Sequence, residues 1–238
     1  MSRAQSHVVG VALMLGISVL ALGALTVGVG EVIDAQTAHA DATRIADEVD
    51  TALQPVSRTG PHADTLTFAD GTLQTAERDL RVYRNGTLVG ERRVDALVFS
   101  AGDRRVAFLA GAVVRGQDGG EWLAAEPPIT ASERTDVLVV GAPVLGTDDV
   151  AVSGSGGTTV RLRTNVSHER QRLGSGRYEV AIETGTPAAF ESYFADQNAS
   201  TARRDIDGDG TDSVVATYPG TREGYLVTHN LSLEVADG

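Results

Sequence analysis

From Val8 to Gly30 the chain carries 23 consecutive uncharged residues, VVGVALMLGISVLALGALTVGVG. A helix of that length spans about 34 Å, enough to cross a bilayer core of about 30 Å. Arg3 precedes the run, and Glu31 and Asp34 follow it. The positive-inside rule then puts the N-terminus in the cytoplasm and everything after Glu31 outside. Between Glu31 and Gln54 there is no Gly or Pro, and Ala38, Ala42, Ile45, Val49 and Ala52 recur at spacings of 4, 3, 4 and 3. That is one apolar stripe of a helix, with Asp41, Asp47, Glu48 and Asp50 off it. Residues 6–54 as one helix would measure about 73 Å. Pro55 ends the pattern.

Beyond Pro55 the period changes to two. Short strands are expected at Thr65–Phe68, Gly71–Thr75, Leu80–Arg84, Thr87–Val94, Leu97–Ser100, Arg105–Leu109, Ala112–Arg115 and Trp122–Ala125. The pattern continues through Val137–Val140, Val150–Ser153, Thr158–Thr164, Tyr178–Thr184, Val214–Tyr218 and Tyr225–Val235. Asn85-Gly86 between two alternating runs signals a type I′ hairpin, because both residues accept positive φ. Gly116–Gly120 and Gly154–Gly157 read as turns or loops. One helix stands out, with Thr186 as N-cap, Pro187 in its first turn and Phe190, Tyr193 and Phe194 on its apolar face. The expected fold class is α+β: a long N-terminal transmembrane and amphipathic helix, then a mainly antiparallel β head. The expected segments are a leader at 1–4, a transmembrane helix at 5–30, its amphipathic continuation at 31–54 and an extracellular head at 55–238. The alternating strands from Thr65 to Val235 predict that residues 56–238 fold without the helix.

Composition narrows the chemistry. The 238 residues carry 32 Asp+Glu against 20 Lys+Arg, a net charge of -12. Every basic residue is Arg, and there is no Cys. Duplex nucleic acid is excluded as a partner, since phosphate binding needs a basic face. Disulfides, thiolate metal sites, P-loop chemistry and Schiff bases are excluded by the missing Cys and Lys. The acidic, Lys-free surface is similar to that of halophilic archaeal proteins, where molar salt screens self-repulsion within a few Å.

The stretch Ser2-Arg3-Ala4-Gln5-Ser6, directly before the uncharged run, resembles an archaeal prepilin or archaellin cleavage site. By that resemblance, to haloarchaeal type IV pilin-like proteins of unassigned function, cleavage falls between Ala4 and Gln5. The first half of the helix would then hold the membrane or other pilin-like subunits, and the second half would pack on a β-sheet head. The pattern departs at His7, near where such proteins often carry Glu. That departure fits a minor subunit better than a major one. An uncleaved anchor is an alternative. So is signal peptidase I cutting after Ala38-His39-Ala40, which lies well beyond Gly30.

Four glycosylation sequons lie on the expected external side, at Asn85, Asn165, Asn198 and Asn230. Asp205-Ile206-Asp207-Gly208-Asp209-Gly210 resembles the opening of EF-hand and dockerin-type calcium loops. Asp205, Asp207 and Asp209 would supply ligands to Ca2+, with Asp212 substituting for the acid missing at Ala216. No enzymatic motif reaches its context. His168-Glu169 begins a zincin pattern, but Arg172 stands where the second His is needed. The expected function is a pilin-like cell-surface protein, not an enzyme, anchored by a single pass and serving as a minor subunit or anchor component. The alternative is a monomeric anchored binding domain outside any filament.

Overall fold

The computed structural model describes residues 36–54, 58–117 and 119–237. Strand makes up 59% of these and helix 14%. The α+β expectation built on a long N-terminal helix is therefore corrected: the described residues are mainly β. Their first helix, α1, covers residues 36–52. No helix among the described residues is long and apolar enough to cross a membrane. The uncharged run Val8–Gly30 and the Ala4-Gln5 junction lie outside the described residues.

Two sheets form the body. The larger contains β1 (Gly60–Ala76), β4 (Ala96–Ala101), β5 (Arg104–Leu109), β6 (Ala112–Gly116), β7 (Trp122–Ala125), β8 (Ile129–Ser132), β9 (Val137–Val144), β10 (Ala151–Gly176), β14 (Arg222–Asn230) and β15 (Glu234–Asp237). Its order is β7-β6-β5-β4-β1-β10-β14-β9-β8, with β15 beside β10. The smaller has the order β12-β13-β11-β2-β3, from β2 (Asp79–Arg84), β3 (Thr87–Arg93), β11 (Tyr178–Glu183), β12 (Ser200–Arg204) and β13 (Ser213–Thr217). All pairs are antiparallel except β14 with β9.

Two cores lie on opposite faces of the large sheet. Leu97, Phe99, Val106, Phe108 and Val113 join one with Ala42, Ile45 and Val49 of α1 and with Leu53 just past it. Their chain neighbours Ala96, Val98, Ala107, Leu109 and Val114 join the other with Val180 and Ile182 of β11. Successive side chains point to opposite faces, so a strand buried on both sides reads as an unbroken apolar run. That explains ALVFSA and AVVRG, where strict alternation is absent. The second helix, α2 (Pro187–Asp196), closes the β11 side with Phe190, Tyr193 and Phe194 buried. Tyr193 donates its hydroxyl hydrogen to the Pro127 carbonyl at 3.0 Å.

Local signals survive well. Asn85 and Gly86 sit at φ 51 and 78 in the β2–β3 turn, as the sequence predicts. Thr186 occupies the N-cap of α2 but makes no side-chain cap bond, and its hydroxyl faces that of Thr184 at 3.1 Å.

The long strands differ from expectation. Thr65–Phe68 and Gly71–Thr75 are one strand, β1, and Val150–Ser153 and Thr158–Thr164 both fall largely within β10. Gly154–Gly157 is not a loop: it lies inside β10, where the β1 register shifts between Phe68 and Asp70. Gly156 and Gly157, at φ 81 and 103, take up the extra residues of that bulge. The expected strand Tyr225–Val235 breaks into β14 and β15, both antiparallel to β10. β8 and β12 were not foreseen; one is a short run after Pro127-Pro128, and the other, STARR, is polar and exposed.

Candidate functional site

The helix–sheet junction is built by α1. The stripe residues Ala42, Ile45, Val49 and Ala52 are each at most 5% exposed, and Leu53 just past the helix is 1% exposed. The polar side of the same helix also reaches the sheet. β4 covers one edge of β1 only from Thr72 to Ala76. The N–H groups of Thr67 and Ala69 on that edge have no strand to pair with, and α1 supplies acceptors. Asp41 Oδ2 accepts from Ala69 N at 2.7 Å and more loosely from Asp70 N at 3.4 Å. Glu48 Oε2 accepts from Thr67 N at 2.9 Å. Asp41 and Glu48 are seven residues apart, two helical turns, so both meet the same strand edge. This corrects the expectation for Asp41: it is 1% exposed because it serves the β1 edge and pairs with Arg44. Burial raises the Glu48 pKa, against the Thr67 hydrogen bond and Arg44, which lower it.

An open cavity of about 630 Å³ lies at the start of α1, bounded by Thr37, Asp41, Asp70, Ser100 and Asp103. Among the described residues its lining carries the carboxylates of Asp41, Asp70 and Asp103 and no basic side chain.

The acidic loop 205–212 sits at the end of the small sheet. Asp205, Asp207 and Asp209 bring carboxylate oxygens within 4.8 Å of one another, all exposed. Asp212 lies outside that group, and its carbonyl accepts from Thr184 N at 3.0 Å. The loop uses its carboxylates internally. Asp205 accepts from Gly208 N at 2.7 Å and Gly210 N at 3.2 Å, and Asp209 accepts from Thr211 N at 2.7 Å. Asp207 accepts from Arg81 Nη2 at 2.8 Å.

Three residues absent from the sequence reading complete this corner. Asp79 and Glu183 form a second acidic group with Asp207, again within 4.8 Å. Arg81 ties Asp207 to Asp79: its Nη2 also donates to Asp79 at 2.6 Å, and its Nε donates to Glu91 at 2.8 Å, whereas Glu183 accepts from Arg78 Nη1 at 3.4 Å and from Asp79 N at 3.3 Å. Burial pushes the Asp79 and Glu183 carboxyls up, whereas the Arg81 hydrogen bond holds Asp207 down. Burial also works against the Arg81 charge, but the hydrogen bonds to Glu91 and Asp207 outweigh it. Glu183 and Asp79 are brought together because β11 pairs with β2 through Ile182 and Leu80. No local spacing in the chain announces that pairing.

All four sequon asparagines are exposed. Asn85 is at the β2–β3 tip, where its Oδ1 accepts from Arg177 N at 3.0 Å. Asn165 lies within β10 opposite Pro61. Asn198 follows α2 and donates from Nδ2 to Glu133 at 2.8 Å. Asn230 ends β14 and accepts from Ser232 N at 3.0 Å.

A family model described as a family of unknown function matches residues 3–234. No curated protein and no solved structure matches the chain.

Proposed function

Because the chain belongs to DUF7289, a family of unknown function, we propose its role from its own residues: a pilin-like cell-surface protein, anchored by Val8–Gly30 and displaying its β body outside the cell. It serves as a minor subunit or anchor component of a type IV pilus-like structure. One observation carries the reading: the helix that follows the uncharged run is not a free stalk but part of a core, with Ile45 and Val49 buried against the sheet. An anchor joined to such a helix fixes the body's position at the membrane surface. The stretch Ser2-Arg3-Ala4-Gln5-Ser6 supplies the processing signal. Signal peptidase I is disfavoured as the processing route, since Ala38-His39-Ala40-Asp41 lies inside α1 and a cut there would sever the turn that holds Asp41 on the β1 edge.

The test is the mature N-terminus of the full chain expressed with its own leader, together with sheared surface filaments. A start at Gln5, membrane partitioning and recovery with filaments are the expected results. A soluble product starting at Asp41 would overturn the reading. A membrane-bound product starting at Gln5 but absent from filaments would instead favour the monomeric anchored binding domain.

A further inference from the structure

On the face of the large sheet that carries α1, beyond the edge of the core, two histidines stand directly opposite each other. His168 of β10 and His229 of β14 are cross-strand partners in the ladder. Their Nδ1 atoms are 2.8 Å apart, and the rings meet edge to face at 79° with centroids 4.9 Å apart. His168 Nε2 lies 3.0 Å from Thr59 Oγ1. His229 is 6% exposed, while His168 is open to solvent.

We propose that His168 and His229 form a two-imidazole site for a borderline divalent transition metal, of which Zn2+, Ni2+ and Cu2+ are the class. Three features argue for it. First, both nitrogens that face each other are the same kind of donor. In the metal-free protein one must carry a proton and the other a lone pair. A cation between them takes both lone pairs, and His229 keeps its single proton by moving it to Nε2. Two metal–nitrogen bonds of about 2.0–2.1 Å in a tetrahedral arrangement need the nitrogens about 3.3–3.4 Å apart. The pair, now 2.8 Å apart, therefore has to open by about half an ångström. Second, the other nitrogen of His168 is already oriented by a hydroxyl. A hydrogen bond from the remote ring N–H is the usual device that fixes a ligating tautomer. With Nε2–H donated to Thr59, the Nδ1 lone pair faces inward. Third, the donors sit on paired strands rather than a loop, so the backbone ladder preorganises them, and the exposed side of His168 leaves positions for water.

The ligand chemistry separates this site from the acidic loop. Imidazole nitrogen suits Zn2+, Ni2+ and Cu2+, whereas Ca2+ and Mg2+ take oxygen. An excess of alkaline-earth ions would thus leave the histidine pair untouched.

The probe is Zn2+ alone, added to the full chain at pH 7.5 in detergent and high salt. One equivalent per chain is expected, with a saturable rise in melting temperature, because binding to the native state alone stabilises it by mass action. Ca2+ at a hundredfold excess should neither displace Zn2+ nor reproduce the rise. His168→Asn should abolish saturable binding while the metal-free protein still melts cooperatively, since His168 itself is exposed and Asn keeps a polar partner for His229. His229→Asn should abolish it too, and Thr59→Ala should weaken it several-fold. In the Cu2+-loaded wild type, electron paramagnetic resonance should show two equatorial nitrogens, falling to at most one in either histidine variant. The proposal is overturned if Zn2+ produces no saturable shift, or if His168→Asn binds as tightly as the wild type. A Cu2+ spectrum unchanged by either substitution would overturn it as well.

Discussion

Asp41 and Glu48 show how two side chains on a helix can finish a strand edge that no other strand reaches. Replacing Asp41 with Ala leaves Ala69 N–H without its acceptor and Arg44 without its partner. The expected cost is about 1–3 kcal/mol, the penalty for an unsatisfied buried group. Asp41→Asn keeps an acceptor oxygen and should cost less, which denaturant titration of the two variants would show. Glu48 predicts a pH effect whose sign follows from burial. Its pKa is raised, so ionisation opposes folding and its unfavourable contribution appears as pH rises through the carboxylate range. Glu48→Gln retains an acceptor for Thr67 N. The difference in melting temperature between variant and wild type should be more positive at pH 7.5 than at pH 4. Gly71, at φ 149, is a third sensitive position: an added Cβ would lie 2.6 Å from Phe99 Cε2 and 2.8 Å from the Ser100 carbonyl. Gly71→Ala is therefore expected to lower the melting temperature. The stripe that includes Ile45 and Val49 was legible in the sequence, because helical spacing is local information. The role of Asp41 was not, since its acceptor work depends on Ala69, a partner set by the tertiary fold.

Among the elements, α1 is the one whose status the structure changes most. Strand alternation alone implies a body able to fold from residue 56 onward. The core instead counts Ala42, Ile45, Ala46, Val49, Ala52 and Leu53 among its members, against Phe68, Phe99 and Phe108. A fragment of residues 56–238 is thus expected to expose that apolar face, bind a hydrophobic dye and lose a single sharp transition. Ile45→Ala in the full chain should cost about 2–5 kcal/mol, the range for large-to-small changes in a packed core. A fragment with native-like cooperative melting would show that α1 only decorates the sheet. The β2–β3 hairpin was readable because Asn-Gly encodes its own turn. β1 and β10 were each divided in the reading, since Ala69-Asp70 and Gly154–Gly157 look like breaks. Only the ladder between the two strands shows that these are one bulge on a continuous pair. β8 and β12 escaped for the opposite reason: they are short and weakly apolar, and their neighbours β9 and β13 recruit them.

For the whole molecule, a net charge of -12 with no Lys sets the conditions in which the fold is best tested. Exposed charges repel over about 10 Å at 0.1 M salt and about 3 Å at 1 M. The melting temperature of the full chain should rise between these two salt concentrations, more than a near-neutral protein of similar size shows. A flat response would mean the acidic surface carries no salt dependence. Charge and most of the short strands could be read from composition and pattern, but the fold class could not, and neither could the corner of Asp79, Arg81, Glu183 and Asp207, because distant strands assemble it. The antiparallel ladder of β1 with β10 bears on how the chain acquires its shape. Gly60 must wait for Val166, and Gln74 for Ala151, before β1 has a neighbour on that side. The hairpins β2–β3 and β4–β5 are contiguous in sequence and can close early, whereas the β1–β10 pairing completes only after most of the polypeptide has emerged. A chain synthesised from its N-terminus therefore leaves Leu66, Phe68 and Leu73 of β1 without their partner strand until late. Refolding kinetics should show a rapid phase from local hairpins, followed by a slow one that Gly154→Val lengthens, because that residue faces Gly71 across the late-forming ladder.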